Sequence, residues 1–105
     1  MKKEVITKLT QSFEEAMRME NGVEYWTARD LQLLFEYADW DNFVNVVEKA
    51  KIACQNSKYK KDNHFRDVTE MVSLGSGSQR AIPDCKLSRY ACYLIAQNGD
   101  PRIHK

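Results

Sequence analysis

Lys58, Lys60 and Lys61 fall within four positions of one another, with Tyr59 between them and Arg66 five residues further on. Clustered ammonium groups suit a phosphate backbone, and an interleaved ring can stack on a base. A solvated lysine loop has the same composition, so both uses stay open. A second candidate is Leu74-Gly75-Ser76-Gly77-Ser78-Gln79-Arg80. A nucleotide-binding P-loop needs G-x-x-x-x-G-K-[ST] opening a helix. This run has neither that spacing nor the lysine, and it leads into an extended segment, so no nucleotide pocket follows. As a hairpin tip it can offer N–H groups, the hydroxyls of Ser76 and Ser78 and the guanidinium of Arg80 to phosphates, or merely connect two strands. Arg89 and Tyr93 stand four residues apart on the outward side of a helix, able to grip nucleic acid or to seat another helix. The second use is favoured, because exposed aromatics more often mark interfaces.

Other chemistries find little support. His64 and His104 are isolated, and Cys85 and Cys92 match no zinc spacing, so no metal site is expected. Cys54 and Cys92 lie on or beside apolar helical faces, as small core residues do. Asp62, His64 and Asp67 lie close in sequence but lack a nucleophile. No catalytic residue, cofactor or enzymatic activity is expected.

The elements that must position these groups follow from periodicity and caps. From Lys2 to Met17, Val5, Ile6, Leu9, Phe13, Ala16 and Met17 recur at spacings of three and four, which predicts an amphipathic helix. Asn21-Gly22 predicts a tight hairpin, with Val23 to Trp26 as its second strand. Thr27-Ala28-Arg29-Asp30 is a capping-box variant, hydroxyl and carboxylate both serving exposed N–H groups of a short helix bearing Leu31, Leu34 and Phe35. Asp39 caps the next helix, whose stripe is Trp40, Phe43, Val44, Val47, Ala50 and Cys54. Lys49 falls on its outer face, Lys51 at the border, and Ile52 is an apolar outlier on the far side. Two capped helices with so short a link allow a helix-turn-helix-like pair. Gln55 to Asn63 is loop by composition. Phe65 to Leu74 is compatible with a strand or with a short helix followed by one. Gln79 to Pro83 is the returning strand, and Asp84 caps a last helix with Leu87, Ala91, Leu94 and Ile95 on its core side. Asn98-Gly99 and Pro101 end it. The order predicts a small α+β domain, short helices packed with one or two β-hairpins.

One hundred and five residues make a single domain, and 43% hydrophobic with 30% charged residues argues against disorder. No apolar run approaches the roughly 18 residues of a membrane span, and the charged start has no signal-peptide core. Three cysteines are too few for a disulfide framework, so a soluble domain of a reducing compartment is expected, with no membrane partner. The net charge of +1 hides an asymmetry. Residues 1–48 hold five Lys/Arg against ten Asp/Glu, whereas 49–105 hold eleven against five, a net of +6. A basic half is what a polyanion-binding surface requires.

Four runs carry a family resemblance: Glu24-Tyr25-Trp26-Thr27-Ala28-Arg29-Asp30-Leu31; Asn42-Phe43 followed by Glu48-Lys49-Ala50; Met71 through Arg80; and Leu87-Ser88-Arg89-Tyr90-Ala91-Cys92-Tyr93-Leu94-Ile95-Ala96-Gln97-Asn98-Gly99-Asp100-Pro101. They resemble the N-terminal, Bro-N-like domain of the DNA-damage-inducible protein D family over residues 13–101, within a domain spanning 1–105. The resemblance implies a bacterial, cytoplasmic protein of the SOS response. It also implies a DNA-binding module related to phage antirepressor domains, acting in recombinational repair through a RecA-type recombinase. Family members continue past the Asn-Gly-Asp-Pro run through helical sequence, so the resemblance implies that this chain is a truncated product or fragment.

The expected function is a non-enzymatic DNA-binding module in which Lys58, Lys60, Lys61, Arg66 and Arg80 neutralise phosphates. Ser76 and Ser78 assist, and Arg89, Lys49 and Lys51 are second-rank contacts. Five phosphates correspond to a salt slope of about −4.5 in log K against log salt. The alternative is a protein-interaction module binding a RecA-type recombinase or a second copy of itself, with Ile52 and Tyr93 at the interface.

Overall fold

The computed structural model describes residues 3–99, with side chains from Leu9 onward. Val5 and Ile6 fall within the first helix but their side chains are not described, and the helix stop at Pro101 lies outside the described residues. The chain opens with α1 (Lys3–Glu15), followed by β1 (Arg18–Glu20) and β2 (Val23–Thr27). Asn21 and Gly22 have φ of 53° and 80°, the pair of left-handed residues that a primed two-residue turn requires. Thr27 then caps α2 (Ala28–Leu34), its hydroxyl accepting from the Asp30 N–H. The Asp30 carboxylate does not complete the expected reciprocal cap, because it pairs with Arg18 at 3.0 Å.

Asp39 caps α3 (Trp40–Asn56) by accepting from the Asp41 N–H. Its buried face is Phe43, Val46, Val47, Ala50 and Cys54, so Val46 is in the core and Val44 is only half-buried. A single turn, α4 (Lys61–His64), leads into β3 (Phe65–Ser73), and β4 (Gln79–Leu87) returns. The segment from Phe65 is a strand throughout, and β4 runs four residues beyond Pro83. Ser88, not Asp84, caps α5 (Arg89–Gln97), its hydroxyl accepting from the Ala91 N–H. Asp84 is buried in β4 and caps a different helix, since its Oδ1 accepts from the Arg29 N–H in the first turn of α2 at 3.1 Å. The helix macrodipole favours a carboxylate there.

The architecture is α+β, with one antiparallel sheet in the order β1-β2-β4-β3. The β2–β4 junction is narrow, pairing Trp26 with Leu87 and Thr27 with Lys86. In contrast, β3 and β4 pair along their whole length, from Phe65–Leu87 to Ser73–Gln79. The core joins Trp26, Phe65 and Leu87 of the sheet to Phe43 and Ala50 of α3 and Ala91 and Ile95 of α5. Each large side chain buried there contributes about 1.5–3 kcal/mol. Phe13 of α1 stacks on Trp26 at 4.4 Å, and the indole N–H donates to the Phe13 carbonyl.

Candidate nucleic-acid interface

The lysine cluster begins where α3 stops. The helix ends in a Schellman motif: the Lys58 N–H donates to the Gln55 carbonyl and the Tyr59 N–H to that of Cys54. The motif needs a left-handed residue, usually glycine, and here Lys58 takes it at φ 67°. Two further residues bring the chain to α4, which carries Lys61, and Arg66 follows as the second residue of β3. Lys58, Lys60 and Lys61 ring one open depression with Gln55 and Tyr59. Lys61 also borders a second depression with Arg66, Asn63 and Lys51, and Asp62 stands between the two. The sequence cluster thus becomes a continuous strip from the end of α3 to the root of β3.

Ion pairing separates the cations into two classes. Lys58, Lys60, Lys61 and Arg66 form no ion pair with any described residue, and neither do Lys49 and Arg80. Lys51 is held between Glu48 and Asp67, both at 3.4 Å, with 14% of its side chain exposed. Burial works against its charge, but the two carboxylates outweigh it and raise the pKa above the usual lysine value. Lys86 pairs with Glu20 and Arg18 with Asp30. Arg89 is the most heavily engaged: its guanidinium meets Glu14 and Glu24 and lies 5.0 Å from the Trp26 ring centre. Its hydrogen bonds to Glu14 and Glu24 raise its pKa further, and the same contact holds the Glu14 carboxyl below its ordinary range. The structure therefore does not bring Arg89 or Lys51 to the strip as available charge. Arg89 instead fastens α1 to β2 and α5.

Tyr59 is about half exposed, but its ring is already partnered, 4.9 Å from Tyr90 and 5.9 Å from His64. It anchors the strip to α5 instead of standing free to stack on a base. His64 Nδ1 lies 2.7 Å from Ser88 Oγ beside a cavity of about 250 Å³, a serine–histidine contact that sequence spacing of 24 residues hides. Ser88 Oγ already accepts the Ala91 N–H, and no described carboxylate touches the imidazole. The pair therefore ties α4 to α5 without the orienting acid a nucleophile needs. Burial pushes the thiols of Cys54, Cys85 and Cys92 up, Cys85 to about 12, so all three stay protonated near neutrality. No cluster of metal-ligating side chains occurs among the described residues.

Arg80, Ser76 and Ser78 sit apart from the strip, at the far end of the β3–β4 hairpin. Arg80 pairs with Val72, six rungs from Arg66, roughly 20 Å along the strand. Lys49 is exposed on α3, as is Ile52, and Tyr93 is exposed on α5 with its ring 6.2 Å from that of Phe13. The ten basic and hydroxyl positions singled out by the sequence thus divide into a four-residue strip, a three-residue tip, a lone Lys49 and two engaged cations.

Residues 15–105 match the BRO family, N-terminal domain. The chain belongs to this family. This Bro-N chain is 48% identical over 92 residues to DNA damage-inducible protein D of Escherichia coli (strain K12), an alignment covering 87% of this chain and 34% of that protein. The chain therefore spans about a third of the length of that curated relative. No solved structure matches it. The resemblance carried by the four sequence runs is borne out, and the matched range takes in both the strip and the hairpin tip. No helix among the described residues is long and apolar enough to cross a membrane.

Proposed function

We propose that this Bro-N domain is a non-enzymatic DNA-binding module of a bacterial DNA-damage response, working in the cytoplasm in recombinational repair. The observation that carries the reading is the division of cations. Lys58, Lys60, Lys61 and Arg66 form no ion pair with any described residue along one strip, although Asp62 lies among them, while Lys51, Lys86, Arg18 and Arg89 are neutralised within the fold. The name of the relative, DNA damage-inducible protein D, supports the damage-response context. Four phosphates neutralised by the strip give a salt slope of about −3.6, so raising salt from 50 to 200 mM weakens binding about 150-fold.

Fluorescence anisotropy with labelled single-stranded and duplex DNA at three salt concentrations tests this. Binding with a slope near that value supports the reading, and changing Lys58, Lys60 and Lys61 together to Ala brings the slope to about −0.9. No binding at low salt refutes it. A second reading is favoured by the exposure of Ile52 and Tyr93, 57% and 52%, on helices whose opposite faces form the core. There the domain docks a RecA-type recombinase or a second copy of itself, and Ile52→Ser or Tyr93→Ser weakens that association while DNA affinity stays salt-insensitive.

A further inference from the structure

We propose that the outer part of the β3–β4 hairpin is an arm that reads the major groove of duplex DNA, a conclusion that rests on the DNA-binding reading above. The arm leaves the body outward of Pro83, whose carbonyl the Arg29 side chain holds. Beyond Lys86, β4 has no partner except β3, and no residue from Thr69 to Pro83 is buried. An antiparallel ribbon of this kind fits a groove about 12 Å wide in an undeformed duplex, whereas the minor groove, about 6 Å wide, admits one only when the DNA is bent and the groove widened. A single strand presents no groove at all.

The chemistry of the arm suits base edges. From Met71 to Pro83 there is no acidic residue, and Arg80 supplies the one charge. Ser73 pairs with Gln79 and Val72 with Arg80, so the last two rungs present an amide on one face and a guanidinium on the other. With the Arg80 face turned to the bases, the guanidinium is the fork that reads guanine bidentately through O6 and N7, and the amide lies on the other face. At the tip, Gly75 and Gly77 have φ of 80° and 84°, and nothing lies within 4 Å of where a Cβ would stand, so the backbone there can approach a ligand closely. Glu70, the acid at the base of the arm, faces the buried Asp84 rather than the tip, and that interaction raises its pKa. Arg66 begins the strip roughly 20 Å from Arg80, close enough for one domain to hold a backbone with the strip while the arm enters the adjacent groove.

The experiment compares the wild-type chain, a Gln79→Ala/Arg80→Ala variant and the triple loop-lysine variant on three probes: a duplex, the same duplex methylated at guanine N7, and its single strand. The expected result is that the wild type prefers the duplex and loses about tenfold or more in affinity on N7 methylation. The arm variant loses a similar factor on the duplex, becomes indifferent to methylation, and keeps its single-strand affinity and salt slope. The lysine variant loses affinity on every probe and flattens the slope. If the wild type binds DNA but methylation and the arm variant change nothing, the arm proposal falls while the phosphate strip stands. If the wild type binds none of the probes, both fall.

Discussion

Lys58 combines a strained backbone with a free charge, so replacing it with glycine separates what the position does for the fold from what it does for binding. A non-glycine residue in the left-handed region costs about 1–2 kcal/mol. Glycine gives back roughly 0.4–1 kcal/mol through its greater freedom in the unfolded chain. Both Schellman bonds at the end of α3 are backbone bonds and survive the change. Lys58→Gly therefore stabilises the domain by about 0.5–1 kcal/mol, a rise in melting temperature of a few degrees at about 4–8 °C per kcal/mol. Removing one of the strip's four cations moves the salt slope from about −3.6 to about −2.7, so the loss between 50 and 200 mM salt shrinks to about 40-fold. Thermal melts by circular dichroism and anisotropy titrations on one sample read both quantities. Lys58→Asn is the control, because asparagine tolerates the left-handed region while lacking the charge. A melting temperature that falls in the glycine variant refutes the strain argument, and an unchanged slope removes Lys58 from the phosphate contacts.

Asp84→Ala leaves the Arg29 and Cys85 N–H groups without their acceptor and lowers stability by about 1–3 kcal/mol in denaturant unfolding, whereas Asp84→Asn, which keeps the accepting oxygen, lowers it less. Glu70 has its pKa raised in the fold by Asp84 and by burial, so its contribution is fully present below the unfolded pKa near 4.5 and is lost as pH rises. Glu70→Gln removes the carboxylate beside Asp84 Oδ2, which has no hydrogen-bond partner, and offers it an amide donor at every pH, so its stability gain over the wild type grows from pH 4 to pH 7 in parallel melts. A gain that is flat across that range contradicts the assignment. Gly99→Ala places a Cβ 2.9 Å from the hydroxyl of buried Tyr37 and 3.2 Å from the Ile95 carbonyl, which lowers stability by about 1–3 kcal/mol in the same melts.

What the residue pattern made legible was local. Thr27 and Asp39 cap their helices because a cap needs only its next two or three residues, and the Asn21-Gly22 turn declares itself by its two left-handed residues. Asp84 was legible as a capping carboxylate but not as to which helix it serves, since its partner lies 55 residues away. Pro83 looks like a strand end because it has no N–H to give. The strand continues through it because β2 covers β4 only at Lys86 and Leu87, leaving the other side open at Pro83. The same distance effect governs the charges. The lysine cluster was visible as composition, but the neutralisation of Arg89 by Glu14 and Glu24, and of Lys51 by Asp67, depends on contacts 16 to 75 residues apart. Tyr59 was likewise visible as an aromatic among lysines, while its partner Tyr90 belongs to the last helix.

The Arg29 side chain makes two contacts that belong to different parts of the molecule. Its Nε and Nη2 donate to the carbonyl of Pro83, on the β3–β4 hairpin, at 3.1 and 3.0 Å. Its guanidinium carbon also lies 3.6 Å from the ring centre of Trp40, at the start of α3. Trp26, the other tryptophan, is fully buried. A tilt of the hairpin at Pro83 therefore drags a cation across the face of the more accessible indole, and cation proximity alters indole emission. The domain carries its own optical gauge of hairpin motion, readable without a label, and Trp40→Phe silences it while leaving the hairpin in place.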